Sequence, residues 1–353
     1  MNHTDEEAEA AGSGVAKAAA EKVVNLALQG GGSHGAFTWG VLDRLLEEER
    51  LSFEGVTAAS AGAINAVMLT DGWAAGGRDG AKKALRLFWQ KISEVASRGI
   101  FQPSMVDRMN QGFGLEHSPG FLFMDVLSLF TSPYLMNPLN YNPLRDVLEE
   151  VVDFERVRRQ RAVKLFLCAT NVRTAKVKVF TGAEIGCDHV IASTCLPLLM
   201  HAVEIDGEHY WDGAFAGNPA VFPVIYECKA RDIIMVHVTP TERREIPIAS
   251  HAIMNRMQEI SFNSSLIKEM RTIAFVIKQI EAGKFTGGKH VLIHAIEGDD
   301  AVRGLSGTSK LNGAWELLSL LHQTGRDYAE RWLTANFDRI GVESTVDLEA
   351  KYF

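Results

Sequence analysis

The chain has 353 residues, of which 46% are hydrophobic and 23% are charged, and its formal net charge is −8. This composition is typical of a folded globular protein and excludes disorder throughout the chain. A net negative charge repels phosphate backbones and therefore gives no electrostatic basis for general nucleic-acid binding. We expect no nucleic-acid partner, and any membrane contact has to be apolar or local.

Short apolar runs alternate with helical patterns along the chain. Residues 23–28 form an apolar run that leads through a glycine-rich turn into a helical pattern at residues 36–49. A second run at residues 55–58 continues through Ser60 into a helix of small residues at 61–69. Further strands are predicted at residues 163–169, 176–180, 232–238 and 290–296, and further helices at 142–152, 186–193, 249–282 and 313–334. This alternation predicts an α/β fold with a mainly parallel sheet and helices on both faces.

The N-terminal residues, the most apolar window and the cysteines indicate where in the cell the protein is expected. Residues 1–22 lack a basic segment followed by an apolar one, which predicts a flexible tail without a secretion signal. The most apolar window, residues 121–136, is shorter than the about 20 residues that span a bilayer. The cysteines form no C-x-x-C pair, which indicates buried thiols. We expect a cytoplasmic protein with one domain over residues 23–353 and transient contact with membranes or lipid surfaces.

The first glycine-rich turn admits more than one function. Its glycines, which match G-x-G-x-x-G after a strand, are Gly30, Gly31, Gly32 and Gly35. A dinucleotide site would need an acidic residue about 20 residues on, at the end of the second strand, where this chain has Ala58, Ala59 and Ser60 instead. The same loop directs backbone N–H groups at a developing oxyanion. A purely structural glycine turn is the third alternative.

The second turn resembles the nucleophile elbow G-x-S-x-G, with Ala58 in the place of the first glycine. A serine on a sharp turn from strand to helix needs small neighbours, because the strained backbone packs tightly against the next strand. Ser60 is therefore the candidate nucleophile. An isolated S-A-G would more often belong to a packed core helix, but a glycine loop after one strand and an elbow after the next lie side by side in a parallel sheet.

A third segment identifies a resemblance to a known family. Residues 204–214 read as a hairpin with its turn at Asp206 and Gly207, and its second arm ends in Asp212-Gly213-Ala214. Together with the glycine loop and the elbow, this D-G-A segment resembles the patatin-like phospholipase family, from about residue 24 to residue 223. The resemblance implies a three-layer α/β/α sandwich and a Ser-Asp dyad that uses no histidine, metal or cofactor.

The resemblance also implies roles for particular residues. Ser60 matches the nucleophile and Asp212 matches its base, and the four glycines of the first turn match the oxyanion loop. The family loop usually carries Arg or Lys where this chain has His34, so a fixed cation that could bind a head group is replaced by a residue that is mostly neutral at pH 7. Serine needs an adjacent base to become a good nucleophile, which a carboxylate close to Ser60 would supply.

A Ser-His-Asp triad is the alternative to the dyad, since three histidines follow Asp212 in or near predicted strands. They are His237, His290 and His294. Strand-end histidines are more often packed core residues, and the elbow of an α/β-hydrolase usually comes after a later strand.

Two apolar segments are candidates for the walls of an acyl-binding groove. The first, at residues 121–136, includes Phe123 and Leu127, and it is either a lid that also touches lipid or a core helix. The second, at residues 195–200, includes Pro197. The helical pattern at 260–280 favours a packed surface helix over a membrane anchor.

These features predict a serine acyl hydrolase that cleaves carboxylic esters of lipids through an acyl-enzyme, with His34, Phe123, Leu127 and Pro197 as substrate-binding candidates. One alternative is an esterase that acts on neutral acylglycerols or on polyesters. The other is a catalytically silent lipid-binding scaffold on the same fold, against which the presence of both Ser60 and Asp212 argues.

Overall fold

The computed structural model describes residues 21–99, 102–104, 106–107, 113–128, 131–243, 246–248 and 250–353. The predicted tail, residues 1–22, lies almost wholly outside the described residues, and Lys22 already opens the first strand. The strands are β1 (Lys22–Leu28), β2 (Leu51–Ala59), β3 (Lys164–Asn171), β4 (Val177–Thr181), β5 (Val203–Ile205), β6 (Glu208–Asp212), β7 (Asp232–His237) and β8 (Leu292–Glu297).

Helices occupy most of the chain between the strands. They are α1 (Gly35–Leu45), α2 (Ala61–Arg98), α3 (Pro119–Ser128), α4 (Pro133–Met136), α5 (Pro143–Val151), α6 (Phe154–Arg159), α7 (Cys187–Ser193), α8 (Phe222–Glu227), α9 (Ser250–Glu281), α10 (Asp299–Arg303), α11 (Trp315–Asn336) and α12 (Leu348–Tyr352). Helix α2 continues well beyond the predicted segment at residues 61–69, and non-helical backbone at Gly76 and Gly77 interrupts it. Within the described residues, no helix combines the length and the apolar character that crossing a bilayer requires.

The strands of the described residues form one eight-stranded sheet. Seven of them follow the order β5-β6-β3-β2-β1-β7-β8, and the eighth, β4, pairs with β3 on the side opposite β2. The neighbours from β3 through β2, β1 and β7 to β8 are parallel, whereas β4, β5 and β6 pair antiparallel. The carboxyl ends of β1 and β2 therefore lie side by side, with Leu28 opposite Ala58. Ligands of such sheets bind at this edge.

Two apolar cores, one on each face, hold the helices against the sheet. On one face Phe37 of α1, Val67 of α2 and Leu321 of α11 pack against side chains of β1 and β2 such as Leu26. On the other face α8, α9 and α12 pack against a second cluster that includes Ile233. The alternation of side chains along a strand sends neighbouring residues to opposite faces. This arrangement confirms the predicted three-layer α/β/α sandwich with a mainly parallel sheet.

Candidate active site

Ser60 occupies a strained turn between β2 and α2. Its backbone lies in the left-handed region with φ 55°, and α2 begins at the next residue, Ala61. A non-glycine residue in this region costs about 1–3 kcal/mol, which the surrounding structure has to offset. The tight packing behind the turn explains the small neighbours, since a Cβ on Gly62 would lie 2.3 Å from the carbonyl oxygen of Leu28.

The structure brings the side chains of Ser60 and Asp212 into direct contact. The Ser60 hydroxyl donates to Oδ2 of Asp212 over 2.7 Å, although 152 residues separate the two in sequence. The other carboxyl oxygen, Oδ1, accepts a hydrogen bond of 2.8 Å from the backbone N–H of Ala214. Both oxygens of Asp212 are thus held in place, and one of them faces the serine as a proton acceptor.

Burial changes the acidity of Asp212. The side chain is 0% exposed, and this burial raises the pKa of the carboxyl from its ordinary 3.8 to about 7. The hydrogen bonds from the Ser60 hydroxyl and from the N–H of Ala214 favour the ionised form and act against that rise. The carboxyl can therefore take up and release a proton near neutral pH.

The glycine loop lies directly against Ser60, but its four glycines differ in what they do. The N–H of Gly30 donates to Oδ1 of Asn218 over 2.7 Å, and the N–H of Gly35 donates to carbonyl oxygens within the loop. No acceptor within the described residues is bonded to the N–H groups of Gly31 and Gly32. Of the predicted oxyanion loop, these two therefore remain the candidate donors.

Gly30 and Gly35 are required for close packing. A Cβ on Gly30 would lie 2.4 Å from the Cβ of Ser60, and one on Gly35 would lie 2.7 Å from the Cβ of Ala61. Real Cβ atoms do not approach so closely, so any larger residue at either position would displace the elbow or the loop. These glycines set the distance between the loop and the nucleophile.

Three polar residues that the sequence analysis missed hold the pair in position. The N–H of Ser60 donates to the carbonyl and the hydroxyl oxygens of Ser193, at 3.1 and 3.2 Å. Thr170 donates to the carbonyl oxygen of Asp212 at 2.8 Å, and Asn218 anchors Gly30 as described. The N-P dipeptide six residues after Asp212 was the signal that could have drawn attention to Asn218; Ser193 and Thr170 carry no comparable signal.

His34, a predicted substrate-binding residue, is buried. Its side chain is 2% exposed, and Nε2 lies 2.7 Å from the hydroxyl of Ser309. Burial, with smaller contributions from the charges of Lys310 and Arg243, lowers the pKa of His34 to about 3. The imidazole is therefore neutral over the physiological range, and its burial argues against the prediction that His34 binds substrate.

The three histidines of the alternative triad have partners elsewhere. His294 Nε2 lies 2.9 Å from Asp232, His290 pairs with Glu281, and His237 lies next to the hydroxyl of Tyr352. Within the part of the chain that the structure describes, none of these three histidines is hydrogen-bonded to Ser60 or Asp212.

The remaining substrate-binding candidates lie on two separate segments. Phe123 and Leu127 belong to α3, where Phe123 is exposed and Leu127 is half-buried. Pro197 is half-buried just after Cys195, whose carbonyl oxygen accepts a hydrogen bond of 2.8 Å from the N–H of Asp212. Pro197 is therefore tied to the site by the chain, whereas no hydrogen bond joins Phe123 or Leu127 to it in the described residues.

In the part of the chain that the structure describes, no group of three or more His, Cys, Asp or Glu residues is arranged to hold a metal ion.

The chain is similar to one family model and to two solved structures. The model of the family "Patatin-like phospholipase" matches residues 26–225. No curated protein matches the chain. Among solved structures, VipD from Legionella pneumophila is 15% identical, with 88% of this chain and 67% of that chain covered and a TM-score of 0.41. ExoU, in complex with SpcU from Pseudomonas aeruginosa, is 15% identical, with coverage of 94% and 66% and a TM-score of 0.26.

This chain thus spans about two thirds of the length of each of those solved chains. The family model covers more than half of the 353 residues and includes the glycine loop, the elbow and the D-G-A segment. The chain therefore belongs to the patatin-like phospholipase family of lipid acyl hydrolases.

Proposed function

We propose that the chain hydrolyses carboxylic esters of lipids with Ser60 as nucleophile and Asp212 as general base, through an acyl-enzyme. The observation that supports this proposal most strongly is the 2.7 Å hydrogen bond from the Ser60 hydroxyl to Oδ2 of Asp212. The distance falls within the range that direct proton transfer to a base requires. A scaffold that only binds lipid would have no need for a buried carboxylate against a strained serine.

In the first half of the reaction, Ser60 Oγ attacks the ester carbonyl carbon while its proton passes to Asp212. The carbonyl oxygen becomes an oxyanion, which the N–H groups of Gly31 and Gly32 and the amino end of α2 stabilise. The bond from the carbonyl carbon to the alcohol oxygen then breaks, and Asp212 returns the proton to the leaving alcohol. The product of this half is an ester between the acyl group and Ser60.

In the second half, water replaces the alcohol and the same groups act in reverse order. Asp212 accepts a proton from the water as it attacks the acyl carbon, and the collapse of the second oxyanion releases the fatty acid. The proton then passes from Asp212 to Ser60 Oγ, which restores the starting state. A pKa of about 7 for Asp212 suits both directions of transfer, because neither protonation state is strongly disfavoured at neutral pH.

Two classes of lipid are candidates for the substrate, and they differ in the head group. Family membership favours a phospholipid. The neutral, buried imidazole of His34 supplies no cation to a phosphate and supports uncharged acylglycerol or polyester substrates instead. The ratio of kcat/KM for phosphatidylcholine to that for a diacylglycerol with the same acyl chains distinguishes the two.

The proposed chemistry is tested with three purified variants and one soluble nitrophenyl ester. Ser60→Ala and Asp212→Asn are each expected to lose at least about a thousandfold in kcat, because one removes the nucleophile and the other its proton acceptor. Asp327→Asn is the control, since it makes the same change at an exposed carboxylate that, among the described residues, bonds only to Gln323. Wild-type turnover in Asp212→Asn would refute the dyad.

A further inference from the structure

Apolar side chains cover the outer face of the first turns of α9 and of the loop before it. Six residues are between 43% and 91% exposed, and we call them the α9 patch: Ile246, Ile248, Ile253, Met254, Met257 and Ile260. The second half of the same helix is ordinary by contrast, because Leu266, Met270 and Ile273 are buried against the sheet. Ile253, Met257 and Ile260 follow the i, i+4, i+7 spacing of one helical face, and exposed apolar residues on one face are a mark of an interaction surface.

The polarity of this part of α9 is inverted. Its charged side chains face the protein, where Glu259 is 1% exposed and pairs with Arg243 at 2.5 Å and with Arg256 at 3.2 Å. A surface helix normally turns its charges to water and its apolar residues inward. The inward face of these turns carries the ion pairs of Glu259, and the outward isoleucines and methionines are exposed within the described residues.

The α9 patch lies at the edge of the sheet that carries the nucleophile. Asn263, one turn after Ile260, accepts a hydrogen bond of 3.1 Å from Gln29, the residue that links β1 to the glycine loop. It also donates to the carbonyl oxygen of Pro240, just after β7. Asn263 therefore lies near the carboxyl ends of these strands, and the helix between Ile253 and Asn263 is about 15 Å long at 1.5 Å per residue.

The charge of the segment suits a lipid surface. Residues 246–260 contain one carboxylate, Glu259, which is buried and paired, although the whole chain carries a net charge of −8. An anionic bilayer would repel the acidic remainder of the molecule but not this face. Aliphatic side chains and flexible methionines are suited to the boundary between head groups and acyl chains.

We propose that the α9 patch docks on lipid bilayers and holds the mouth of the active site against the surface that contains the substrate. The inference rests on the proposed function for its purpose, but bilayer binding itself requires no turnover. It assigns to the start of α9 a surface role that differs from the lid or groove wall expected from residues 121–136.

The test separates binding from chemistry. Flotation with mixed phosphatidylcholine and phosphatidylglycerol vesicles is measured in a Ser60→Ala background, so that the lipid is not consumed. The double variant Met254→Gln, Met257→Gln is expected to bind vesicles at least about tenfold more weakly than the parent, because two large apolar side chains no longer enter the bilayer. Phe275→Gln is the matched control, because Phe275 is an exposed apolar residue in the second half of the same helix.

A second measurement shows that the double variant is folded. In the background with Ser60 intact, its kcat/KM for a soluble nitrophenyl ester should equal that of the wild type, whereas its rate on vesicle phospholipid should fall with binding. Equal vesicle binding by the double variant and the wild type would overturn the proposal, as would failure of the wild type to bind vesicles at all. A wild-type dimer that the double variant converts to a monomer, without change in vesicle binding, would assign the α9 patch to self-association instead.

These outcomes are distinguishable from a failure of the proposed chemistry. If Ser60→Ala retained esterase activity, the dyad would be refuted while vesicle flotation still decided the role of the α9 patch.

Discussion

Replacing Asp212 by Asn should make the protein more stable at neutral and alkaline pH while it abolishes turnover. The carboxyl is 0% exposed and its pKa is raised from 3.8 to about 7, so the folded state binds the proton more tightly than the unfolded state. A native pKa above the unfolded one means that stability falls as pH rises between those two values. The wild type therefore loses stability from about pH 4 to about pH 7 through this one group.

The size of the effect follows from the shift. Each unit of pKa difference corresponds to about 1.4 kcal/mol, so a rise of about three units costs the wild type about 4 kcal/mol once Asp212 is fully ionised. Part of this loss of stability has already occurred at pH 5, because Asp212 is mostly ionised in the unfolded chain at that pH but still protonated in the folded chain. Between pH 5 and pH 8 the wild type should lose about 2–3 kcal/mol of its free energy of unfolding through Asp212.

An asparagine fits the site without this cost. Its amide oxygen can accept from the N–H of Ala214, and its NH₂ group can donate to Ser60 Oγ, which preserves both hydrogen bonds of the side chain. The variant should therefore gain about 2–3 kcal/mol relative to the wild type between pH 5 and pH 8.

Urea unfolding of the two proteins at pH 5, 6, 7 and 8 measures this difference directly. Asp327→Asn, at an exposed position, serves as the control and should follow the wild type at every pH. A difference between Asp212→Asn and the wild type that stays constant with pH would refute the claim that burial raises the pKa of Asp212.

Three further substitutions test the loop and its supports. Gly30→Ala should reduce kcat at least about a hundredfold, because the new Cβ would lie 2.4 Å from the Cβ of Ser60, whereas Gly304→Ala, where a Cβ meets nothing within 4 Å, should leave kcat unchanged. Asn218→Ala leaves the N–H of Gly30 without its acceptor, and we expect a loss of about 1–3 kcal/mol in urea unfolding together with a lower kcat. His34→Arg buries a charge near Lys310 and Arg243, so thermal unfolding should show a loss of several kcal/mol, whereas the same change at exposed His209 should not.

The contact between Ser60 and Asp212 could be predicted because the signals that single out the two residues are local in sequence. The elbow around Ser60 and the D-G-A segment at Asp212 each need small residues immediately beside the functional one, and a single sequence displays such neighbours. The order of strands and helices could also be predicted from the sequence, since buried parallel strands are short apolar runs between amphipathic helices.

The surroundings of the pair could not be predicted in the same way. The burial of His34 depends on Ser309, which is 275 residues away in sequence, and the support of Ser60 depends on Ser193, which is 133 residues away. Nothing next to these residues in the chain indicates which partner will reach them. The same applies to α9, whose helical pattern was evident but whose inverted polarity follows from the ion pairs of Glu259.

In the proposed function, Asp212 activates Ser60 as the nucleophile of an acyl-enzyme. It is tested most directly by intact-mass measurement and peptide mapping after reaction with a serine-directed fluorophosphonate. We expect one adduct per chain, located on Ser60, that forms in the wild type and is lost in both Ser60→Ala and Asp212→Asn. An unlabelled wild type under conditions in which a control esterase reacts, or an adduct on another residue, would contradict it.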